Sequence, residues 1–283
     1  MKLVNCKEMT QRALAGGYAV PQFNINGLEW CKTVLEVCQA EGSPVILGTA
    51  MAAAKALGGY RTVANMVLGL LEDLNITVPV ALHLDHGSYE ACLQCLDAGF
   101  SSVMFDGSKL PIEENLRLTR DLVARCAEKG ASLEAEVGAI GRGGTCGECA
   151  DPDECGRIAA EGIDILAAGI GNIHGVYPDD WQGLAWDVLE RIRSQVGPVP
   201  LVLHGGSGIP EDMIKRAISM GVGKININTE CQIAYMAGCR EYFAQGKDRQ
   251  EKGYFARNLT AAGLVEIEPV LREKIALFGC AGR

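Results

Sequence analysis

Val80-Ala81-Leu82-His83-Leu84-Asp85-His86-Gly87 is the stretch on which the reading of this chain turns. An apolar run of strand type gathers polar residues at its end and stops at a glycine. The plan recurs in Gly171-Asn172-Ile173-His174-Gly175 and in Leu201-Val202-Leu203-His204-Gly205-Gly206-Ser207-Gly208. The chain has four histidines, and all four lie in these three segments. Working outward, eight runs read as strands: Tyr18–Phe23, Val45–Leu47, Val80–Leu84, Ser102–Phe105, Ser132–Val137, Ile165–Ala168, Leu201–His204 and Lys224–Ile227. Longer amphipathic stretches alternate with them: Leu28–Ala40, Thr62–Leu74, Tyr89–Ala98, Ile112–Lys129, Asp153–Glu161, Trp186–Gln195, Glu211–Met220 and Glu230–Ala244. Pro111, Pro152 and Pro210 mark helix starts, and Gly99, Gly130, Gly162 and Gly221 mark helix ends. Eight unbroken βα units predict an α/β chain folded as a (β/α)8 TIM barrel, with a doubly wound open sheet as the competing arrangement. The whole of residues 1–283 reads as one domain. Residues 246–283 form an appended helical tail, with its best helix at Glu268–Phe278.

Bulk properties narrow the function. Lys and Arg number 26 against 35 Asp and Glu, a net charge of −9. That excess opposes non-specific binding to nucleic acid or to an anionic membrane surface. No apolar run approaches the ~18 residues of a membrane span, and the first residues carry no apolar core of a signal peptide. A cytoplasmic location is therefore expected. Twelve cysteines, several inside helical stretches, read as reduced buried thiols rather than a disulfide framework.

In a parallel barrel the strands' C-terminal ends share one mouth, where the chemistry gathers. His86, His174 and His204 each immediately precede a glycine and end strand units three, six and seven. Three imidazoles with one open position make a catalytic zinc pattern. His83 is expected to support the ligands from behind. Since successive side chains in a strand alternate faces, His83 and Asp85 point one way and His86 the other, unless the chain turns there. Asp85, beside a predicted ligand, suits a general acid or base. Asp106 and Glu136 are expected to orient ligands or to form a second metal position. Gly205–Gly208 and Asn228-Thr229 fall in the loops after strands seven and eight, where barrels commonly hold phosphate.

These residues sit in longer motifs: Gly17-Tyr18-Ala19-Val20-Pro21-Gln22-Phe23-Asn24, His83–Gly87, Leu133-Glu134-Ala135-Glu136-Val137-Gly138, His174-Gly175-Val176-Tyr177, His204–Gly208 and Lys224-Ile225-Asn226-Ile227-Asn228-Thr229-Glu230. Together they resemble the class II, zinc-dependent fructose-bisphosphate and tagatose-bisphosphate aldolases, over nearly the whole chain. The resemblance implies a homodimer or homotetramer that cleaves a ketose 1-phosphate to dihydroxyacetone phosphate and an aldehyde. It implies Zn2+ on His86, His174 and His204, and a monovalent cation (Na+ or K+) near the phosphate. By the same resemblance Asp85 is the acid/base at the C4 hydroxyl. Glu136 and Asp106 lie near an alternative metal position. Asn24, Gly175, Gly205, Ser207, Asn226, Asn228 and Thr229 contact the substrate and its 1-phosphate.

Two departures stand out. The family's loop after strand five carries a Glu-Asp pair, whereas this chain has Gly138–Pro152 without one. Glu148 is the expected substitute for that second acid/base. Cys146 and Cys149 there read as ordinary thiols rather than half of a metal site. After strand two the family's hydroxyl is replaced by Ala50, so the distal end of the substrate is open. Lys55, Arg142 or a neighbouring subunit's arginine could serve a distal phosphate, and a carboxylate, a sulfonate or an uncharged group are the other possibilities. Rival readings are a Schiff-base aldolase on Lys224, placed by its start-of-strand position at the wrong barrel end, and a non-catalytic sugar-phosphate-binding protein.

Overall fold

A computed structural model describes residues 2–283. Eight parallel strands close into a barrel in sequence order: β1 Val20–Asn24, β2 Val45–Ala50, β3 Val80–Gly87, β4 Ser102–Phe105, β5 Ser132–Val137, β6 Ile165–Ala168, β7 Leu201–Leu203 and β8 Val222–Ile227. The barrel shuts where Gln22 of β1 pairs with Asn226 of β8. The open doubly wound sheet is thereby excluded. Each predicted strand is present with ends shifted by at most a few residues.

The outward residues of the strands, such as Leu82 and Leu84 of β3 and Ile225 and Ile227 of β8, are fully buried in the apolar core. Helices cover them because their apolar residues recur at three- and four-residue spacing. Leu28–Glu41 buries Cys31, Val34, Leu35 and Cys38 and stops at Gly42 in the left-handed conformation. Ile112–Lys129 ends likewise at Gly130. The tail helix runs over Ala256–Leu277, longer than the sequence suggested. Two helices escaped the sequence reading. Cys6–Gly16 covers the barrel's N-terminal end, where the Cys6 amide donates to Ser132 Oγ (2.9 Å). Met51–Ala56 follows β2 directly. Among the described residues no helix is long and apolar enough to cross a membrane.

The barrel's interior is polar, although such barrels are usually filled by branched aliphatics. Ser132 Oγ donates to Ser102 Oγ (2.9 Å), which meets His83 Nδ1 (2.8 Å). Above them Lys224 Nζ donates to Glu134 Oε2 (2.7 Å), with His83 Nε2 3.4 Å from the same oxygen. All four of Ser102, His83, Glu134 and Lys224 are completely buried. This column leads directly to the mouth.

Candidate active site

The three histidines predicted as ligands converge. His86 Nε2 lies 3.3 Å from His174 Nε2, and one ring nitrogen from each of His86, His174 and His204 falls within a 4.8 Å cluster. His86 reaches this cluster because the chain does turn. Its φ is +52°, and the β3–β4 register slips between Leu84 and Gly87. A non-glycine residue in the left-handed region costs ~1–3 kcal/mol and is characteristic of functional sites. Gly87 is required next, since a Cβ there would sit 2.3 Å from Leu84 Cδ2 and 2.9 Å from the Met104 carbonyl. Gly205, after His204, is fixed on two counts: φ is +65° and a Cβ would lie 2.2 Å from the Ile173 carbonyl.

Neighbouring carboxylates orient two of the rings. His204 Nε2 meets Glu134 Oε1 at 2.8 Å. A carboxylate only accepts, so the proton sits on Nε2 and the Nδ1 lone pair faces the mouth, where Asn226 Nδ2 donates to it (3.1 Å). His86 Nδ1 faces Asp106 Oδ2 (3.3 Å) and Glu136 Oε2 (3.1 Å), which turns Nε2 inward. An imidazole whose far nitrogen is held by a carboxylate is the usual form of a metal-binding histidine. Burial opposes charge on His86, yet hydrogen bonds to Asp106 and Glu136 and the charge of Asp85 outweigh it and raise its pKa to about 10. Burial and the charge of His86 lower His174 to about 4, and burial drives His204 well below its usual range. Two ring nitrogens facing each other at 3.3 Å, one of them holding a proton, form a set that a divalent cation fits, since it would displace that proton and accept all three lone pairs. A second donor set, His86, Asp106 and Glu136, shares His86. Burial raises Glu136 above the usual carboxylate range, and the contact of its Oε2 with His86 Nδ1 only partly offsets this.

Asp85 lies under the same mouth, 4.0 Å from His86 Nε2. Asn24 Nδ2 donates to its Oδ2 (2.8 Å) and Asn226 Nδ2 to its Oδ1 (3.4 Å). Burial alone would raise its pKa, but the positive charge on His86, the His204 ring, Lys224 and the Asn24 hydrogen bond hold it well below the carboxylate range. It is a fixed, ionised carboxylate.

A cavity of about 700 Å³ opens over these groups. Its walls include Asn24, Asp85, His86, Asp106, His174, Gly175, Gly205, Ser207, Asn226, Asn228 and Thr229. The Gly205–Gly208 segment offers fewer free amides than its glycines suggest, because Gly206 N–H donates to the Asn226 carbonyl (2.9 Å) and Gly208 N–H to Glu230 Oε1 (2.6 Å). Lys274 of the tail helix grips Glu230 from behind (2.8 Å) and so braces this loop. Glu136 contributes to a side pocket of about 290 Å³ rather than to the main wall. Glu148 is exposed and lines neither cavity; its carbonyl accepts from the Ala139 amide (2.8 Å). Lys55 also stands outside the walls, whereas Ala50 and Arg142 are in them.

Three positions were missed or misplaced in the sequence. Lys224 was read as the start of its strand at the wrong barrel end. β8 instead begins at Val222, and Lys224 lies in the barrel interior, tied to Glu134 and absent from the cavity wall. Glu134 was expected among the polar residues converging on the mouth but was given no role, and it holds His204. Tyr177 OH accepts from the Ile173 amide (3.0 Å) and donates to the Gly205 carbonyl (2.8 Å), joining the loops of His174 and His204. Its place in His174-Gly175-Val176-Tyr177 was the available signal.

Fold and site thus define a (β/α)8-barrel enzyme with a histidine cluster suited to a divalent metal. The chain belongs to the class II fructose-bisphosphate aldolase family, whose profile matches residues 4–283, and it is accordingly a carbon–carbon lyase. A fructose-bisphosphate aldolase of Streptococcus pyogenes serotype M3 is 46% identical over 293 positions, covering 100% of both chains. That aligned stretch exceeds the 283 residues here, so the relative holds residues this chain lacks. A fructose-bisphosphate aldolase of Mycoplasma pneumoniae is 48% identical over 287 positions, with 99% of each covered. Among solved structures, the YdjI aldolase of Escherichia coli K12 superposes with a TM-score of 0.84 at 32% identity, covering 99% of this chain and 98% of the other.

Proposed function

We propose that the chain catalyses reversible aldol cleavage of a ketose 1-phosphate, most simply fructose or tagatose 1,6-bisphosphate, to dihydroxyacetone phosphate and an aldehyde such as glyceraldehyde 3-phosphate. The observation that carries the reading is the His86–His174–His204 cluster set beside an ionised Asp85 in one cavity. Zn2+ held by the three rings would supply Lewis acidity at the ketose carbonyl. Asp85, already deprotonated and aimed by Asn24 and Asn226, accepts the C4 hydroxyl proton. Asn226 bridges Asp85 and His204 and orients the hydroxylated carbons. Gly175, Gly205, Ser207, Asn228 and Thr229 receive the 1-phosphate, with a monovalent cation (Na+ or K+) beside it. Asp106 and Glu136 hold His86 and offer an alternative metal position. Glu148 is the candidate for the C3 proton. Because its side chain lies outside the cavity, that role requires the segment following the Gly141–Gly147 turn to move inward. A homodimer or homotetramer is the expected assembly.

Dialysis against a strong chelator should abolish dihydroxyacetone phosphate release, and zinc or cobalt should restore it. Full activity in the metal-free protein would end this reading. Ala50 in the wall favours a second version of it, in which the distal group is a carboxylate or sulfonate. A panel of ketose 1-phosphates separates the two.

A further inference from the structure

We infer that Arg142, assisted by Lys109, binds the distal anionic group of the substrate and sets the preference for a charged tail. The inference rests on the ketose 1-phosphate reading and goes beyond it in naming the residues that select the far end. Because the strands close the barrel in sequence order, the loops after β4 and β5 stand across the mouth from those after β7 and β8. Lys109 follows β4 and Arg142 follows β5, while Ser207, Asn228 and Thr229 belong to the far side; of the residues assigned to the 1-phosphate, only Gly175, next to His174, adjoins the ribbon that carries Arg142. A chain molecule with its 1-phosphate in the β7–β8 loops and its carbonyl over the histidines therefore sends its other end toward Arg142 and Lys109.

Those two are the only lysine and arginine among the described residues in the cavity wall; the segment after β2 presents Ala50, Met51 and Ala52 instead. The mouth carboxylates do not claim them, since Asp85, Asp106 and Glu136 all face His86. Arg142 also lines the side pocket with Lys109, so the two cations share a wall.

The backbone carrying Arg142 is fixed. Gly141-Arg142 pairs with Ile173-His174 in a two-stranded ribbon, with Arg142 opposite His174. The Gly141 amide donates to the Asn172 carbonyl (2.9 Å), and Thr145 Oγ1 donates to the Arg142 carbonyl (2.8 Å). The turn packs so closely that a Cβ at Gly141 would fall 2.2 Å from the Thr145 carbonyl, and one at Gly147 would fall 1.9 Å from the Ala139 carbonyl. A guanidinium on an anchored backbone can offer a forked pair of N–H groups to a phosphate, carboxylate or sulfonate.

The test is the ratio of kcat/KM for an anion-tailed ketose 1-phosphate to that for the same sugar with a neutral tail. Fructose 1,6-bisphosphate against fructose 1-phosphate is the first pair, followed by the tagatose epimers and a 1-phosphate ending in a carboxylate. The unmodified protein should favour an anionic tail by at least tenfold. Arg142→Gln should reduce that ratio about tenfold or more, Lys109→Gln by less, and Arg142→Lys should recover part of it. A ratio within twofold of the unmodified protein's in both Gln variants overturns the assignment, as does an equal fall on both substrates, which would place Arg142 on the 1-phosphate. A wild-type protein that cleaves ketose 1-phosphates without preferring a charged tail overturns the assignment and leaves the proposed reaction standing. One that cleaves none overturns both.

Discussion

Replacing Lys224 with methionine isolates the buried column under the active site. Lys224 and Glu134 have no exposed side-chain surface, and Glu134 Oε2 accepts from Lys224 Nζ at 2.7 Å. The variant keeps the length and apolar stem of the side chain but leaves the Glu134 carboxylate with only neutral imidazoles, at 2.8 Å (His204) and 3.4 Å (His83). Breaking a buried pair on one side costs about 3–5 kcal/mol, because a charge stays desolvated without a partner. With an unfolding entropy of ~2 cal/mol/K per residue, that lowers Tm by about 5–8 °C for a chain of this length. The measurement is urea unfolding and thermal melting of chelator-treated protein, so that metal binding adds nothing to the native state. Lys224→Met combined with Glu134→Gln should recover more than half of the loss, since the orphaned charge is gone. A single variant within about 1 kcal/mol of the unmodified protein would refute the reasoning, as would a double variant no more stable than Lys224→Met. Glu134→Gln alone should also weaken zinc about 10- to 100-fold in competition with a chromogenic chelator, because His204 loses the carboxylate that aims its Nδ1.

Asp85→Asn should lower kcat for cleavage by about 10²–10⁴-fold while zinc still binds, as expected for loss of a general base; an active variant would remove Asp85 from the proton transfer. Alkaline pH should destabilise the fold. Burial pushes the Cys6 and Cys280 thiols up to about 11 and those of Cys31, Cys126, Cys155 and Cys231 to about 12, from an ordinary 9. The unfolded thiols release protons first, so this stability is complete below pH 9 and is lost as pH rises toward 11–12, at ~1.4 kcal/mol per thiol per unit. A urea midpoint unchanged between pH 8 and 10 would contradict it. A thiol reagent should modify two cysteines in the native protein, the exposed Cys146 and Cys149, and all twelve only after unfolding.

Why the fold was so legible, and the column so opaque, follows from how a parallel barrel uses its strands. The outward faces need apolar residues, and helices need three- and four-residue periodicity, so βα units announce themselves locally. Met51–Ala56 and the ribbon of Gly141-Arg142 with Ile173-His174 have no such local signature; the ribbon joins segments some thirty residues apart. The histidine triad was readable because each ring precedes a glycine that the backbone needs, as the clashes at Gly87 and Gly205 attest.

Ser132-Leu133-Glu134-Ala135-Glu136 shows the opposite case. Strict polar–apolar alternation ordinarily means one wet face, which is how a half-exposed strand reads. Here the polar face points into the barrel, and every residue of the strand is buried. Nothing local in the sequence tells a solvated glutamate from one tied to Lys224 ninety residues later. What would tell them apart is pairing: a glutamate on an inward face needs a cation or a donor from another inward face, and β8 supplies it at Lys224 in the same alternation that delivers Asn226 to Asp85. Closure of the barrel therefore does two things at once. It buries an ion pair that is absent from the cavity wall, and it turns that pair into the support from which His204 presents its unprotonated nitrogen. Read this way, Lys224 belongs to the aldolase site by what it holds in place rather than as a Schiff-base nucleophile, and borohydride trapping in the presence of substrate should leave it unmodified.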